Sequence, residues 1–415
     1  MLETLLKALP QNEVERLCAI VLERIDKEHI RCFRGGTAPL FLISTTYPGI
    51  WLEHVYDAVL LAEMFPRYLP IAVNTIRVFL QKQRPDGQLP CYIWDGAILD
   101  LPEEQLVGYG QIQEVVAFSQ LALEVARMAD DADFLREVYD GCAKWHGWMC
   151  RNRMTSGRGL VEMFCGYDTG HDQSARLEGL SCIGNYVKDG VPQNAAVLPP
   201  DDTVPILAVD MNANFYANCR ALAEMATLLG EQEQAEAYAA QARQVKAALF
   251  ARCYDPADGF FYDADKHGNH RQYRSCTLFH LFMERVLDPI EDRAVIDRLY
   301  TDYIKNPAEF WTAYPFPSMS YSQANACPHA DRNCWGYYSQ ALIALRCTRW
   351  MDAYGMRADF DVLCAKWLAA WTNCYEAMPF GQELDPVTGQ PTPSSAWYSS
   401  CMLLYLYAAR RLLCT

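Results

Sequence analysis

The sequence predicts an all-α chain, twelve helices paired as six hairpins and closed into an (α/α)6 toroid, with long loops at one mouth. Three observations lead there. Apolar residues recur at helical spacing over most of the 415 residues. Long loops fall after every second helix. No tight sequence repeat and no polar capping unit marks an open solenoid. The N-terminal helix is expected to pair with the C-terminal one, so that residues 1–415 form a single domain.

Taken in order, Asn12–Ile30 reads as the first long helix, with Val14, Leu17, Ile20, Val21 and Ile25 on one face. Leu52–Phe65 and Tyr68–Gln83 follow, split by Pro66, which cannot continue a helix. Gln111–Met128 and Ala132–Met149 form the next pair. Asp210–Leu229 and Gln232–Cys253 flank Gly230. Tyr273–Val286, Ile290–Tyr303, Asn333–Tyr354, Asp359–Tyr375 and Ser395–Leu413 complete the set. The long connections are Gly35–Gly49, Arg84–Gly110, Thr155–Val209, Tyr254–Arg271, Asn306–Arg332 and Ala377–Pro393. Loops on a rigid scaffold are where binding residues sit. Tyr254–Arg271, rich in turn residues around Asp255-Pro-Ala-Asp-Gly259, reads as a hairpin.

Composition narrows the function. A hydrophobic fraction of 51% with 21% charged residues suits a packed globular protein. A net charge of −15 without a basic run argues against nucleic acid as a partner. The 17 cysteines are scattered, form no C-x-x-C pair, and sit mostly among apolar residues. That pattern predicts a reduced, cytoplasmic protein. The first residues lack an apolar signal segment, and no apolar run is long enough to span a bilayer. No His, Cys or carboxylate cluster has ligand spacing, so neither metal nor cofactor is expected.

The most informative stretch is Phe164-Cys-Gly-Tyr-Asp-Thr-Gly-His-Asp-Gln-Ser-Ala-Arg-Leu-Glu178. Asp168 and Asp172 lie four residues apart around Gly170, with His171, Ser174 and Arg176 beside them. The run is too polar for a core helix. A glycine there permits positive φ or close approach to a ligand, and an arginine can hold a carboxylate or bind hydroxyls. A solvated surface turn is the plainer reading of two acids at this spacing.

The whole pattern decides between them. Asp168-Thr-Gly-His-Asp172-Gln-Ser-Ala-Arg176 resembles the Glu-Ser-Gly-x-Asp-x-Ser-x-Arg signature of trehalases and their relatives, the processing α-glucosidases and the bacterial mannosylglycerate and glucosylglycerate hydrolases. The resemblance implies that Asp172 is the catalytic general acid. Asp168 stands where those relatives carry Glu, which alters the sugar pocket. Tyr56-Asp57-Ala58 resembles the clan's Trp-Asp-x-Ala/Phe element, which contacts the terminal sugar; Trp51 lies just upstream. Asp57 also reads as a charge at a helix start. Gln83-x-x-Asp86-Gly87-x-x-Pro90 is similar to a family turn, and Gln113 is placed at the same mouth. Val209-Asp210-Met-Asn212-Ala resembles the clan's Val-Asp-Leu-Asn-Ala helix, where Asp210 reads as an N-cap.

Further on come Trp311, a candidate sugar contact, and Trp335-Gly336, which resembles a Trp-Arg-Gly-x-x-Trp segment whose Arg and Trp touch sugar in the relatives; here the intervening Arg is missing, and either Arg332 upstream substitutes for it or that contact is lost. Gly381-Gln-Glu383-Leu-Asp385-Pro-Val-Thr-Gly389 resembles the clan's Glu-x-Tyr-x-Pro-x-Thr-Gly segment, followed by Trp397. Glu383 is thereby the expected general base. It stands one residue nearer the proline than in the relatives, which keeps Glu376 as a second candidate.

Two carboxyls fit glycoside cleavage, one donating a proton to the leaving oxygen and one accepting a proton from water across the ring. Inverting enzymes hold the two roughly 6.5–9.5 Å apart. The expected function is therefore an inverting, exo-acting α-glycoside hydrolase on a small α-glucoside or α-mannoside, its partner a small carbohydrate. Two alternatives stay open. A sugar isomerase or epimerase on the same toroid would use histidines, for which His171, His267, His270 and His329 are the loop candidates. A non-catalytic carbohydrate-binding relative is the other.

Overall fold

The computed structural model describes residues 2–112, 115–171, 174–178, 180, 187–188, 191–192, 195, 204–326 and 335–413. The chain packs as two compact units, Met1–Gly49 with Pro289–Thr415, and Ile50–Asp288. The described helices, in chain order, begin with α1 (Leu2–Ala8), α2 (Gln11–Arg24), α3 (Val55–Met64), α4 (Leu69–Gln81), α5 (Phe118–Ala129), α6 (Ala132–Arg153) and α7 (Val209–Leu228). They continue with α8 (Gln232–Cys253), α9 (Thr277–Met283), α10 (Arg293–Leu299), α11 (Tyr321–Ala326), α12 (Ala341–Arg346), α13 (Arg357–Cys374) and α14 (Ser399–Leu413).

In the Ile50–Asp288 unit, α3 packs with α4, α5 with α6 and α7 with α8. One helix of the last hairpin is enclosed and the other is one-sided, as its sequence dictates. On α7, residues from Val209 through Phe215 are buried without interruption, so it has core all round. On α8 the buried residues are Ala235, Ala242, Val245, Leu249 and Cys253, a single stripe. The turns are built by residues suited to them. Between α5 and α6, Asp130 takes φ 49°, and Asp131 caps α6 by accepting from Asp133 N and Phe134 N, both at 3.0 Å. Between α7 and α8, Gly230 takes φ +78°.

In the other unit, α13 packs on α14, α12 on α14, and α2 lies against both α13 and α14, with α1 on α13. Trp367, Trp371 and Tyr405 are among its fully buried side chains.

The expected helix Gln232–Cys253 is observed with those bounds. Others are shorter than the periodicity suggests. In place of Gln111–Met128, α5 starts at Phe118, and the Ile112 N–H donates to the Asp168 carboxylate at 3.2 Å. Within the expected Asn333–Tyr354 helix, Ser339–Gln340 is a strand paired with Glu383–Leu384, and α12 starts only at Ala341. Tyr273–Val286 is reduced to α9. The loops carry short antiparallel ladders that helical periodicity does not reveal. Gly49–Trp51, Tyr92–Trp94 and Val107–Gly108 form one of three strands. The Tyr254–Arg271 hairpin consists of two successive ladders, Tyr254–Asp255 with Phe260–Phe261 and Asp263–Ala264 with His270–Arg271. No described helix is long and apolar enough to cross a membrane.

Candidate active site

The segment around Asp172 is fixed at both ends by buried ion pairs. Asp172 itself lies outside the described residues, as does Gln113. On the N-terminal side, Asp168 is fully buried. Its Oδ2 accepts from Arg153 Nη1 at 2.5 Å, Phe164 N at 2.9 Å and Cys165 N at 3.2 Å. Its Oδ1 accepts from Arg153 Nη2 and Ile112 N, both at 3.2 Å. Asp168, expected to meet sugar, thus takes five donors from within the chain on its two oxygens. It ties the loop to the last turn of α6 and to the stretch of chain before α5.

On the C-terminal side, Arg176 is 1% exposed. Its Nη1 donates to Asp263 Oδ2 and its Nη2 to Asp210 Oδ2, each at 2.6 Å. The same Nη2 donates to His171 Nδ1 at 3.2 Å. Arg176, expected to contact sugar, is bonded to two carboxylates within the chain. Asp263 Oδ1 accepts from Val209 N at 2.9 Å, so the 254–271 hairpin and the start of α7 are joined through this cluster. Burial pushes the Asp210 carboxyl up to about 6; Arg176 pulls against that and the neighbouring Asp263 adds to it. Between the anchors, Gly170 takes φ +72°, and a Cβ there would sit 3.1 Å from Val115 Cγ1 and 3.3 Å from Glu53 Oε2. A side chain at this position would be strained by the positive φ and would press on Val115 and Glu53.

Glu383 belongs to a rigid hairpin of the other unit. Its strand pairs with Ser339–Gln340, while Leu384 bridges Pro391 on the far side. Asp385 closes the following turn by accepting from Val387 N and Thr388 N at 2.9 Å, and Gly389 with φ +71° lets the Tyr314 ring lie against the backbone. Glu383 is 7% exposed and its Oε1 accepts from Thr392 Oγ1 at 2.6 Å. Burial pushes its carboxyl above the ordinary glutamate range, and the Thr392 hydrogen bond partly opposes this. Glu376, the other candidate, is exposed at the end of α13.

The expected aromatic contacts divide by surroundings. Trp51 is half-buried and packs edge-on to Trp94 at 4.5 Å and against Tyr92 at 6.0 Å between ring centroids. Tyr56 and Asp57 are buried in the first turn of α3. Trp311 is 8% exposed, with Lys305 Nζ 3.8 Å from its ring centroid and the Phe316 ring at 5.5 Å. Trp335 is buried, and Arg332, three positions earlier in the sequence, lies outside the described residues. Trp397 is half-buried, with the Arg24 guanidinium 4.3 Å from its ring centroid.

Sequence reasoning missed Tyr92 and Trp94. They line a cavity of about 680 Å³ together with Arg84, Glu104 and Tyr109. The alternation Tyr92-Ile-Trp94, which puts both rings on one face of a strand, was the available signal. It also missed Arg153 and Asp263, which no local pattern links to the loop. Among the isomerase candidates, His171 is buried beside Arg176 and 6.3 Å from the His280 ring, His267 is exposed, His270 bonds the Arg252 carbonyl at 3.0 Å, and His329 lies outside the described residues. Among the described residues no cluster of three or more His, Cys, Asp or Glu could hold a metal ion.

The sequence pattern of the mannosylglycerate hydrolase MGH1-like glycoside hydrolase domain matches residues 57–397. The chain belongs to that family. Solved structures agree on the fold. The mannosylglycerate hydrolase of Thermus thermophilus, in complex with Tris and D-glycerate, is 15% identical with a TM-score of 0.69, covering 95% of this chain and 99% of that one. Neutral trehalase Nth1 of Saccharomyces cerevisiae is 14% identical with a TM-score of 0.65, covering 95% of this chain and 81% of that one. The fold class is the (α/α)6 toroid of these enzymes. An uncharacterized protein of Borreliella burgdorferi is 26% identical over 130 residues, which span 31% of this chain and about a quarter (26%) of that protein.

Removing the cation from the Arg176 cluster should be costly. Arg176→Met leaves Asp210 and Asp263 buried without their partner and should destabilise the unit by about 3–5 kcal/mol. Thermal unfolding measures this, with Arg293→Met, which breaks an exposed pair with Asp297, as the control expected to leave the melting temperature unchanged.

Proposed function

We propose that this MGH1-like protein is an inverting, exo-acting α-glycoside hydrolase, with Asp172 as general acid and Glu383 as general base. The observation that carries the reading is Glu383 itself, a carboxylate buried to 7% exposure on a strand held from both sides, with one oxygen bonded to Thr392. A carboxylate in that setting keeps a fixed direction, and burial raises its proton affinity above that of an ordinary glutamate, which favours taking a proton from water. The clamped loop supports the other half. The Asp168–Arg153 and Arg176–Asp210–Asp263 ion pairs anchor the chain on either side of position 172. Asp168 and Arg176 thus act as positioning residues.

In the reaction, water attacks the anomeric carbon as Glu383 takes one of its protons. The bond to the aglycone oxygen breaks, and that oxygen takes the proton of Asp172. The product has inverted configuration. Trehalose and mannosylglycerate, named by the structural relatives, are the first substrates to try.

A panel of trehalose, mannosylglycerate, other gluco-disaccharides and aryl α-glycosides, followed by proton NMR, tests this. The β-anomer should appear first, and Asp172→Ala and Glu383→Ala should each lose activity by orders of magnitude while staying folded. Release of the α-anomer contradicts inversion, and full activity in either variant removes that residue from its role.

The Glu383 environment gives a second test. A base must be ionised, so activity should rise as pH climbs through a limb above the ordinary glutamate value of about 4.3. The Thr392 hydroxyl lowers that limb by bonding the carboxylate. Thr392→Val should therefore move the acidic limb of kcat/KM to higher pH. A limb that does not move contradicts the assignment of Glu383.

A further inference from the structure

Gln340 stands directly opposite Glu383 in the antiparallel pair Ser339–Gln340 and Glu383–Leu384. Residues opposed in this way project to the same face of a ladder, with Cβ atoms about 4.5–5.5 Å apart. The amide of one and the carboxylate of the other therefore share a face. Gln340 is fully buried, yet neither its Nε2 nor its Oε1 has a hydrogen-bond partner among the described residues.

Its surroundings make this unusual. On the same strand, Ser339 Oγ donates to the Tyr314 carbonyl at 2.7 Å. On the opposite strand, Glu383 Oε1 takes the Thr392 hydroxyl. The backbone is tied as well, with Ala341 N donating to Gln382 O at 2.9 Å. Buried amides are ordinarily bonded, because an unmet donor or acceptor loses its hydration without return. A hairpin that satisfies the polar groups on either side of Gln340, but not Gln340, reserves that amide for a molecule from outside the chain.

We propose that Gln340 holds the attacking water against Glu383. The proposal rests on the reading of Glu383 as the base. The water donates one hydrogen to the Glu383 carboxylate and the other to Gln340 Oε1, which leaves an oxygen lone pair directed at the anomeric carbon. As that oxygen bonds to carbon, the proton on the Glu383 side passes to the carboxylate. The bond to the leaving group breaks with its electron pair, and the hydrogen held by Gln340 stays on the new sugar hydroxyl. Gln340 Nε2 is left to donate to a hydroxyl oxygen of the bound sugar. Two groups on adjacent paired strands fix a water more firmly than one carboxylate can, since the ladder sets their separation.

The test compares the wild-type protein, Gln340→Leu and Glu383→Ala on α-glucosyl fluoride, α-mannosyl fluoride and the glycoside panel. Gln340→Leu should lose about 10²-fold in kcat with KM within about twofold, the scale of a misplaced reactant. Its melting temperature should not fall, because the change removes two unbonded buried polar atoms. Azide, a nucleophile that needs no base, should restore turnover of the fluorides to Glu383→Ala and give the β-glycosyl azide. An unchanged kcat in Gln340→Leu, or a fall of several degrees in its melting temperature, overturns the role of Gln340 even while Glu383→Ala is inactive and rescued by azide. Full turnover by Glu383→Ala, or no turnover of any probe by the wild type, overturns the base reading and the water site with it.

Discussion

Two guanidinium groups buried against carboxylates anchor the polar loop that carries Asp168 and Arg176. Residues 164–178 contain too few apolar side chains to be fixed by packing, and a segment of that kind is ordinarily mobile at a surface. Here Asp168 meets Arg153 from α6, and Arg176 meets Asp210 and Asp263. Burying such charges contributes little net stability, since desolvation opposes the Coulomb gain. What the pairs contribute is a fixed place for Asp168 and for Arg176. Asp168 and Asp263 also take main-chain N–H groups, including those of Ile112, Phe164 and Val209, so the anchoring is set by hydrogen bonds as well as by charge.

Glu383 is held by a different device. Its strand is paired on one side and bridged on the other, and an Asp-capped turn follows it. The two elements of the proposed chemistry thus depend on unlike physics. One is a loop clamped by ions in its own unit; the other is a short ladder in which backbone bonds fix the side-chain face. Burial, opposed only by the Thr392 hydroxyl, leaves Glu383 with a raised proton affinity, whereas Asp168, with Arg153 on both oxygens, is spent on structure. Similar residues take different roles because their partners differ.

The helices are legible because packing writes a 3.6-residue period into them. Gln232–Cys253 has one apolar stripe, and its bounds can be read to the residue. Asn333–Tyr354 misleads because Ser339–Gln340 is a two-residue strand, too short to leave an alternating pattern. The loop at Asp168–Arg176 is visible as a polar run without period. The role of Asp168 is not, since its partner Arg153 sits 15 positions away on a helix, and Arg176 reaches Asp263 across 87 positions. Such pairings are tertiary facts. Gln340 carries no signal at all, as one amide next to an apolar run reads like any helix surface residue.

The clamp at Asp168 is the contact on which the placement of this loop most directly depends. Hydrogen exchange by mass spectrometry over residues 164–178 measures it, in the wild-type protein and in Asp168→Asn. Asparagine keeps the shape but turns one end of the group into a donor, which faces Arg153, Phe164 N and Cys165 N, or Ile112 N, as another donor. Slow exchange in the wild type and markedly faster exchange of this segment in the variant, with α8 unchanged, is the predicted result. Equal exchange in both proteins would show that something other than the buried ion pair holds the loop.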